Sequence, residues 1–207
     1  MYGRRAMLLV LMILVHVATA RLTAEQRQEL LREHNDFRNN VEPRSSNMVK
    51  LEWSDVLAQK AQGWADNCVF RHNPVKSNER WTSIGESIAM STQRDLEQMV
   101  KVWEAERAYF DYQNNTCHAP PREYCGHYTQ MVWAETEFVG CGFKDDCPGM
   151  FKYNLVCNYG IGGNFDSAIP YEEGEKCDDC PDGYGRCENR LCVRDGGDDD
   201  DDDDDDF

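Results

Sequence analysis

Apolar positions recur at helical spacing in the first half of the chain and crowd into short extended runs in the second. Thr23-Ala24-Glu25-Gln26 is a capping box, in which the threonine hydroxyl accepts from the amide three residues on and the glutamine reaches back. Leu30, Leu31, His34, Phe37, Arg38 and Val41 follow on one helical face until Pro43 ends the pattern, which predicts a first helix. Ser54 opens a second, with Val56, Leu57, Ala61, Trp64, Ala65 and Cys68 on a broad inner stripe weakened at Gly63. A third long helix is predicted from about Arg94 to Tyr112, with Leu96, Met99, Val100, Trp103, Arg107 and Phe110 on its inner face. Beyond it, Phe138 to Phe143 and Phe151 to Tyr159 are apolar and aromatic runs separated by Asp145-Asp146 and Pro148-Gly149, the pattern of a hairpin or two neighbouring strands. Helices first and strands later predict an α+β layered domain rather than alternating βαβ units.

The ends of the chain follow other rules. Arg4-Arg5, the apolar stretch from Ala6 to Val17 and Ala18-Thr19-Ala20 read as a signal peptide over residues 1–20, cleaved after Ala20; a membrane anchor is the competing reading, but the stretch is short for a bilayer. The chain is therefore expected to be secreted into the extracellular space, with no transmembrane segment. All ten cysteines lie beyond the signal, an even number suited to disulfides in an oxidising compartment. The spacing Cys177-x-x-Cys180 with Cys187 and Cys192 superficially suits zinc, but secretion and the lack of a neighbouring histidine favour disulfides.

Charge changes the picture at one place only. The formal net charge is −16, but Asp195 and the run Asp198 to Asp206 carry ten of the negative charges, leaving the rest of the chain at about −6. With no basic stripe to neutralise phosphates, nucleic acid is excluded as a partner. Residues 195–207 are expected to form a disordered acidic tail, whose carboxylates would give weak, salt-screened calcium or mineral binding by Asp198 to Asp206. Residues 171–194 read as a small cysteine-rich hinge module, poor in core residues and stapled by its own disulfides.

Four segments, in order, carry a resemblance. They are Leu31-Arg32-Glu33-His34-Asn35-Asp36-Phe37-Arg38, Gly85-Glu86-Ser87-Ile88, Gly126-His127-Tyr128-Thr129-Gln130-Met131-Val132-Trp133, and Cys157-Asn158-Tyr159 with Gly163-Asn164. Together they resemble the CAP superfamily of cysteine-rich secretory, antigen 5 and pathogenesis-related proteins. Cys117 and Cys125 before Gly126-His127, and Pro170-Tyr171-Glu172-Glu173-Gly174 before the Cys177-x-x-Cys180 pair, look most like its peptidase-inhibitor-like and glioma-pathogenesis-related branch. The resemblance implies an α-β-α sandwich (a CAP, or SCP, domain) over residues 21–170.

It also implies a central cleft with His72, Glu86, Glu106 and His127, where the family spacing Trp-x-x-Glu selects Glu106 over Glu104. Further implied are the disulfides Cys68–Cys147, Cys141–Cys157, Cys117–Cys125, Cys177–Cys187 and Cys180–Cys192. Two neutral imidazoles, His72 and His127, can hold zinc or another divalent cation while carboxylates orient the rings; the same four groups could run acid/base chemistry, or form only a hydrogen-bonded polar cluster. Asn114-Asn115-Thr116, at the polar end of the third helix, is the one N-glycosylation sequon.

The reading that results is a secreted, non-enzymatic binding protein whose cleft takes a sterol, another lipid or an extracellular protein. The alternatives are a hydrolase, protease or protease inhibitor acting through the cleft, or a matrix- or mineral-associated protein acting through its aspartates. Neither a His-Glu-x-x-His nor a Gly-x-Ser-x-Gly signature supports hydrolysis. Met131, Val132 and Trp133 are expected in the core.

Overall fold

A computed structural model describes residues 21–166 and 168–196. Residues 1–20, read above as a signal peptide, and the run Asp198 to Asp206 lie outside the described residues. In chain order the elements are α1 (Ala24–Asn39), β1 (Glu52–Trp53), α2 (Asp55–Ala65), β2 (Gly85–Ser91), α3 (Leu96–Glu104), a 3-10 helix (Ala105–Tyr109), β3 (Phe110–Asp111), β4 (Thr116–Cys117), α4 (Gly126–Met131), β5 (Phe138–Lys144), β6 (Tyr153–Gly160), β7 (Arg186–Glu188) and β8 (Leu191–Val193). A four-stranded sheet in the order β1-β5-β6-β2 is antiparallel except for the short parallel pairing of β1 with β5.

The sheet is covered on both faces, so the α-β-α sandwich is observed. Along β5 and β6, Val139, Cys141, Phe143, Leu155, Cys157 and Tyr159 alternate onto the face that packs with Leu30, Met99, Trp103 and Met131 of α1, α3 and α4. The opposite face receives α2 at very short range. A Cβ on Gly140 would lie 2.3 Å from the Ser54 carbonyl oxygen and one on Gly142 2.2 Å from the Gln62 amide nitrogen, so only glycine lets helix and sheet approach this far.

Local chemistry sets where each helix starts. Thr23 and Gln26 form the reciprocal capping box, Ser54 Oγ accepts from Leu57 N, and Asp95 accepts from Gln98 N. Four expectations need correction. The third helix is not continuous: it ends at Glu104, tightens into a 3-10 turn and gives way to the β3–β4 hairpin, because Phe110 pairs with Cys117 and the Cys117–Cys125 disulfide fixes that strand. The tighter winding turns Arg107 to solvent and places Asn114 in an exposed hairpin turn instead of at a helix end. Val56 is 44 % exposed, because α2 buries only the positions four apart, Leu57, Ala61 and Ala65. Two elements gave no periodic signal, strand β2 and the six-residue helix α4.

α1 carries three buried ionisable side chains, His34 and Arg38 on the predicted inner face and Glu33 beside it. Arg38, 1 % exposed, donates to the carbonyls of Val49, Met131, Trp133, Ala134 and Thr136. Burial pulls its pKa below the ordinary arginine value, while five carbonyl dipoles hold the charge. His34 is pulled down to about 4 by burial and stays neutral; Nδ1 donates to the Leu30 carbonyl, so Nε2 accepts from the Tyr159 hydroxyl. Glu33 is 5 % exposed, and one of its carboxylate oxygens is buried without a partner.

The cysteine-rich segment does not stand apart from the sandwich. Residues 172–192 exchange backbone hydrogen bonds with residues 44–50, among them Ser46 N to the Glu172 carbonyl, Lys50 N to the Cys192 carbonyl and Cys192 N to the Met48 carbonyl. Val49, Tyr184 and Cys192 form a small buried cluster, and Leu191 reaches the main core. The core that this segment lacks in its own sequence is supplied by the strip it docks on.

Replacing Arg38 with methionine keeps the stem and removes its hydrogen bonds to all five carbonyls, of which only those of Trp133 and Ala134 keep a backbone donor, Thr136 N and Val49 N; chemical denaturation should show a loss of roughly 3–5 kcal/mol. Burial pushes the Glu33 carboxyl up to about 7, with Glu29 and Glu97 adding to the rise and Arg32 and Lys101 opposing it. Below the unfolded glutamate value of about 4.3 the group is protonated in both states, and stability is lost as pH rises through the folded value. Glu33→Gln should therefore leave the melting temperature nearly unchanged near pH 4 and raise it relative to the parent near pH 8.

Candidate functional site

The cleft is assembled around the N-terminus of α4. This short helix has Cys125 as its N-cap residue, which gives no side-chain cap. Glu106, on the 3-10 helix, supplies it from outside: one carboxylate oxygen accepts from the backbone amides of His127 (2.9 Å) and Tyr128 (3.1 Å). The other oxygen lies 2.6 Å from His127 Nδ1. Three N–H groups thus converge on one buried carboxylate, and His127 Nε2 keeps its lone pair. Glu104 is more exposed and pairs with Arg107 at 3.6 Å instead.

A second pair repeats this chemistry from other elements. Glu86, on the edge strand β2, accepts from His72 Nδ1 (3.0 Å), from Asn73 N (2.8 Å) and, through its other oxygen, from Asn158 Nδ2 (3.2 Å). His72 sits on a loop and is 51 % exposed, whereas the His127 side chain is 18 % exposed. The two ring centroids are 6.2 Å apart, and the His127 ring stacks on Trp103 at 6.0 Å. His72, Glu86 and His127 line one cleft of about 1030 Å³, while Glu106, expected in the cleft, is buried behind the His127 ring and reaches the cleft only through it. Phe70, Tyr124, Trp133 and Phe165 supply aromatic surface around the cleft.

These groups offer two ring nitrogens toward an ion, with the carboxylates behind the rings. Among the described residues, the one group of three His, Cys, Asp or Glu residues with a ligand atom each within 4.8 Å of one another is Cys177, Cys180 and Cys192, and all three are in disulfides. A divalent ion on the imidazoles would keep open positions for water or ligand, and the carboxylate–imidazole hydrogen bonds are those that orient histidine ligands. The donor set fits such an ion.

Ser87 follows Glu86 in sequence but not in space. Consecutive strand residues point to opposite faces, and the Ser87 hydroxyl is buried with no cleft partner. The five disulfides are Cys68–Cys147, Cys117–Cys125, Cys141–Cys157, Cys177–Cys187 and Cys180–Cys192, the pairing implied by the resemblance, so none of the ten cysteines offers a thiolate. Asn114 is exposed and its side-chain amide donates to Asp111 at 2.7 Å. Met131, Val132 and Trp133 are buried, but Trp133 also lines the cleft. Asn158 and Gln130 were missed as site residues: Asn158 braces Glu86, and Gln130 accepts from Gly163 N beside the cleft. Both lie within the motif segments.

The family model for the cysteine-rich secretory protein family, CAP, matches residues 31–159. The chain belongs to this family. Peptidase inhibitor 16 of mouse is 38 % identical over 181 residues, 84 % of this chain but 35 % of that protein, so the chain spans about a third of that relative. Cysteine-rich secretory protein 3 of human is 36 % identical over 182 residues, 84 % of this chain and 72 % of its own length. Among solved structures, NaASP2 with Zn2+ superimposes with a TM-score of 0.66 at 28 % identity, covering 83 % of this chain and 97 % of that one. No helix of the described residues is long and apolar enough to cross a membrane.

Glu106→Ala should uncap α4 and release the His127 ring together. Urea unfolding is expected to show a loss of about 1–3 kcal/mol, and calorimetry a zinc affinity lower by about 10- to 100-fold, with Glu104→Ala leaving both near the parent.

Proposed function

We propose that this CAP protein is a secreted, non-enzymatic binding protein whose cleft holds a divalent cation on His72 and His127. The observation that carries the reading is the pairing of each imidazole Nδ1 with its own carboxylate, which leaves both Nε2 atoms as acceptors in one cleft. NaASP2, similar in fold, was solved with Zn2+, which supports zinc as the ion. Bound there, the ion would act as a Lewis acid toward an oxygen-bearing ligand. Glu86 and Glu106 hold the rings and their tautomers. The aromatic surface gives the cleft affinity for the apolar body of a sterol or other lipid, or for an apolar anchor on an extracellular protein. Residues 1–20 act as the signal peptide in this reading, and exposed Asn114 as the glycan acceptor.

Calorimetric titration of the mature protein with zinc should give one ion per chain, with affinity falling from about pH 7.5 to about pH 5.5 as protons compete for imidazole. His72→Ala and His127→Ala should each weaken it by tenfold or more. Equal affinity in the parent and both variants would place the ion elsewhere. Binding of labelled cholesterol and fatty acid, with and without chelator and beside a general protease assay, tests the ligand class. Proteolysis abolished by chelator and by either variant would overturn the non-enzymatic reading.

A further inference from the structure

A second concavity lies on another part of the sandwich, between α1 and α3. It has a volume of about 290 Å³ and is lined by Glu29, Leu30, Glu33, Asp95, Leu96 and Glu97, with Gln26 and Arg94 at its margin. Three of its four carboxylates already have partners. Glu29 pairs with Arg32, Glu97 with Lys101, and Asp95 caps α3 through Gln98 N. Glu33 differs from them: its side chain is buried and neither carboxylate oxygen has a hydrogen bond, Oε2 being closed to solvent and Oε1 the one left to the groove. Arg94 does not fill the gap, since its guanidinium lies over the Phe143 ring at 5.5 Å and pairs with none of the four.

A largely buried carboxylate with no donor on either oxygen is costly unless a ligand supplies one to the oxygen it can reach. The lining decides between ligands. A divalent metal needs several ligands converging on one point, and among the described residues no three carboxylates bring an oxygen each within 4.8 Å of one another. A guanidinium favours a carboxylate with both oxygens open to its fork, and Glu33 has one oxygen sequestered in the protein. An ammonium on an alkyl stem fits better, with methylenes against Leu30 and Leu96 and the charged head at Glu33. Glu29, Asp95 and Glu97 add negative charge around it, offset in part by Arg32 and Lys101.

We propose that the groove between α1 and α3 receives the side chain of a lysine from a protein partner, with its ammonium on Glu33 and its stem against Leu30 and Leu96. The site is separate from the His/Glu cleft and does not depend on metal there. The raised pKa of Glu33 agrees with it, because an arriving cation relieves the burial and the repulsion from Glu29 and Glu97 that favour the protonated form.

The test follows the carboxyl carbons of glutamate by NMR in the mature protein near pH 8. N-acetyl-lysine-N-methylamide is titrated in parallel with the norleucine analogue, which has an uncharged alkyl side chain, with putrescine and with calcium chloride. The lysine derivative should shift Glu33 saturably, and the norleucine analogue should bind at least tenfold more weakly. Glu33→Gln should weaken lysine binding at least tenfold. The double variant Glu29→Gln, Glu97→Gln changes only exposed side chains and should weaken it at least threefold. Equal binding of the lysine and norleucine derivatives, or unchanged binding in both variants, would overturn the proposal. Calcium saturating Glu33 at lower concentration than the lysine derivative would overturn it in favour of a metal, and putrescine binding tenfold more tightly would overturn it in favour of a free amine.

Discussion

Arg38 is a cation taken out of water and given five backbone carbonyls in place of a counter-ion. Those carbonyls belong to segments that regular structure leaves incomplete: the strip at Val49, the end of α4 at Met131, and the turn from Trp133 to Thr136 that leads into β5. A six-residue helix leaves most of its carbonyls without internal partners, so α4 could not stand alone. It is held by opposite charges at its two ends, Glu106 at the amides and Arg38 at the carbonyls, each of the sign that the helix dipole favours.

The cleft inherits its rigidity from that arrangement, and inherits it unequally. His127 is the second residue of α4, and its ring is fixed by Glu106 on one side and Trp103 on the other. His72 stands on a loop, tied by the nearby Cys68–Cys147 disulfide and by its bond to Glu86. One imidazole is built into the sandwich and the other is presented to it. The cleft therefore presents one ring held in the core and one on an exposed loop.

The same carbonyl network ties the C-terminal cysteine-rich segment to the body. Val49 gives its carbonyl to Arg38 and its side chain to the cluster with Tyr184 and Cys192. The strip from Arg44 to Lys50, which pairs with residues 172–192, is thereby held from both sides. Disulfides close the segment, but its place on the molecule comes from this shared backbone pairing. The chemistry of α1 is thus divided along its length: Arg38 organises the interior, while Glu33 is buried beside the groove with an oxygen still open to a partner.

Much was legible in the sequence because it is written in local chemistry. The capping box at Thr23, the cap at Ser54, the helical spacing of Leu57, Ala61 and Ala65, and the strand runs either side of Pro148-Gly149 each need only near neighbours. The layered class followed from their order, and the His/Glu positions from motif resemblance, not from any periodic signal. The structure decided what depends on distant partners. The third helix stops at Glu104 because Glu106 is drawn to the amides of α4 and Phe110 to the hairpin closed by Cys117–Cys125. Strand β2 lacks apolar alternation because Glu86 there serves the cleft. Glu33 gives no sign in the sequence of being different from Glu29, one helical turn away, since burial is a property of what α3 places over it. Spacing along a chain specifies which face a side chain occupies; only the packed fold specifies whether that face meets water, a carbonyl or nothing.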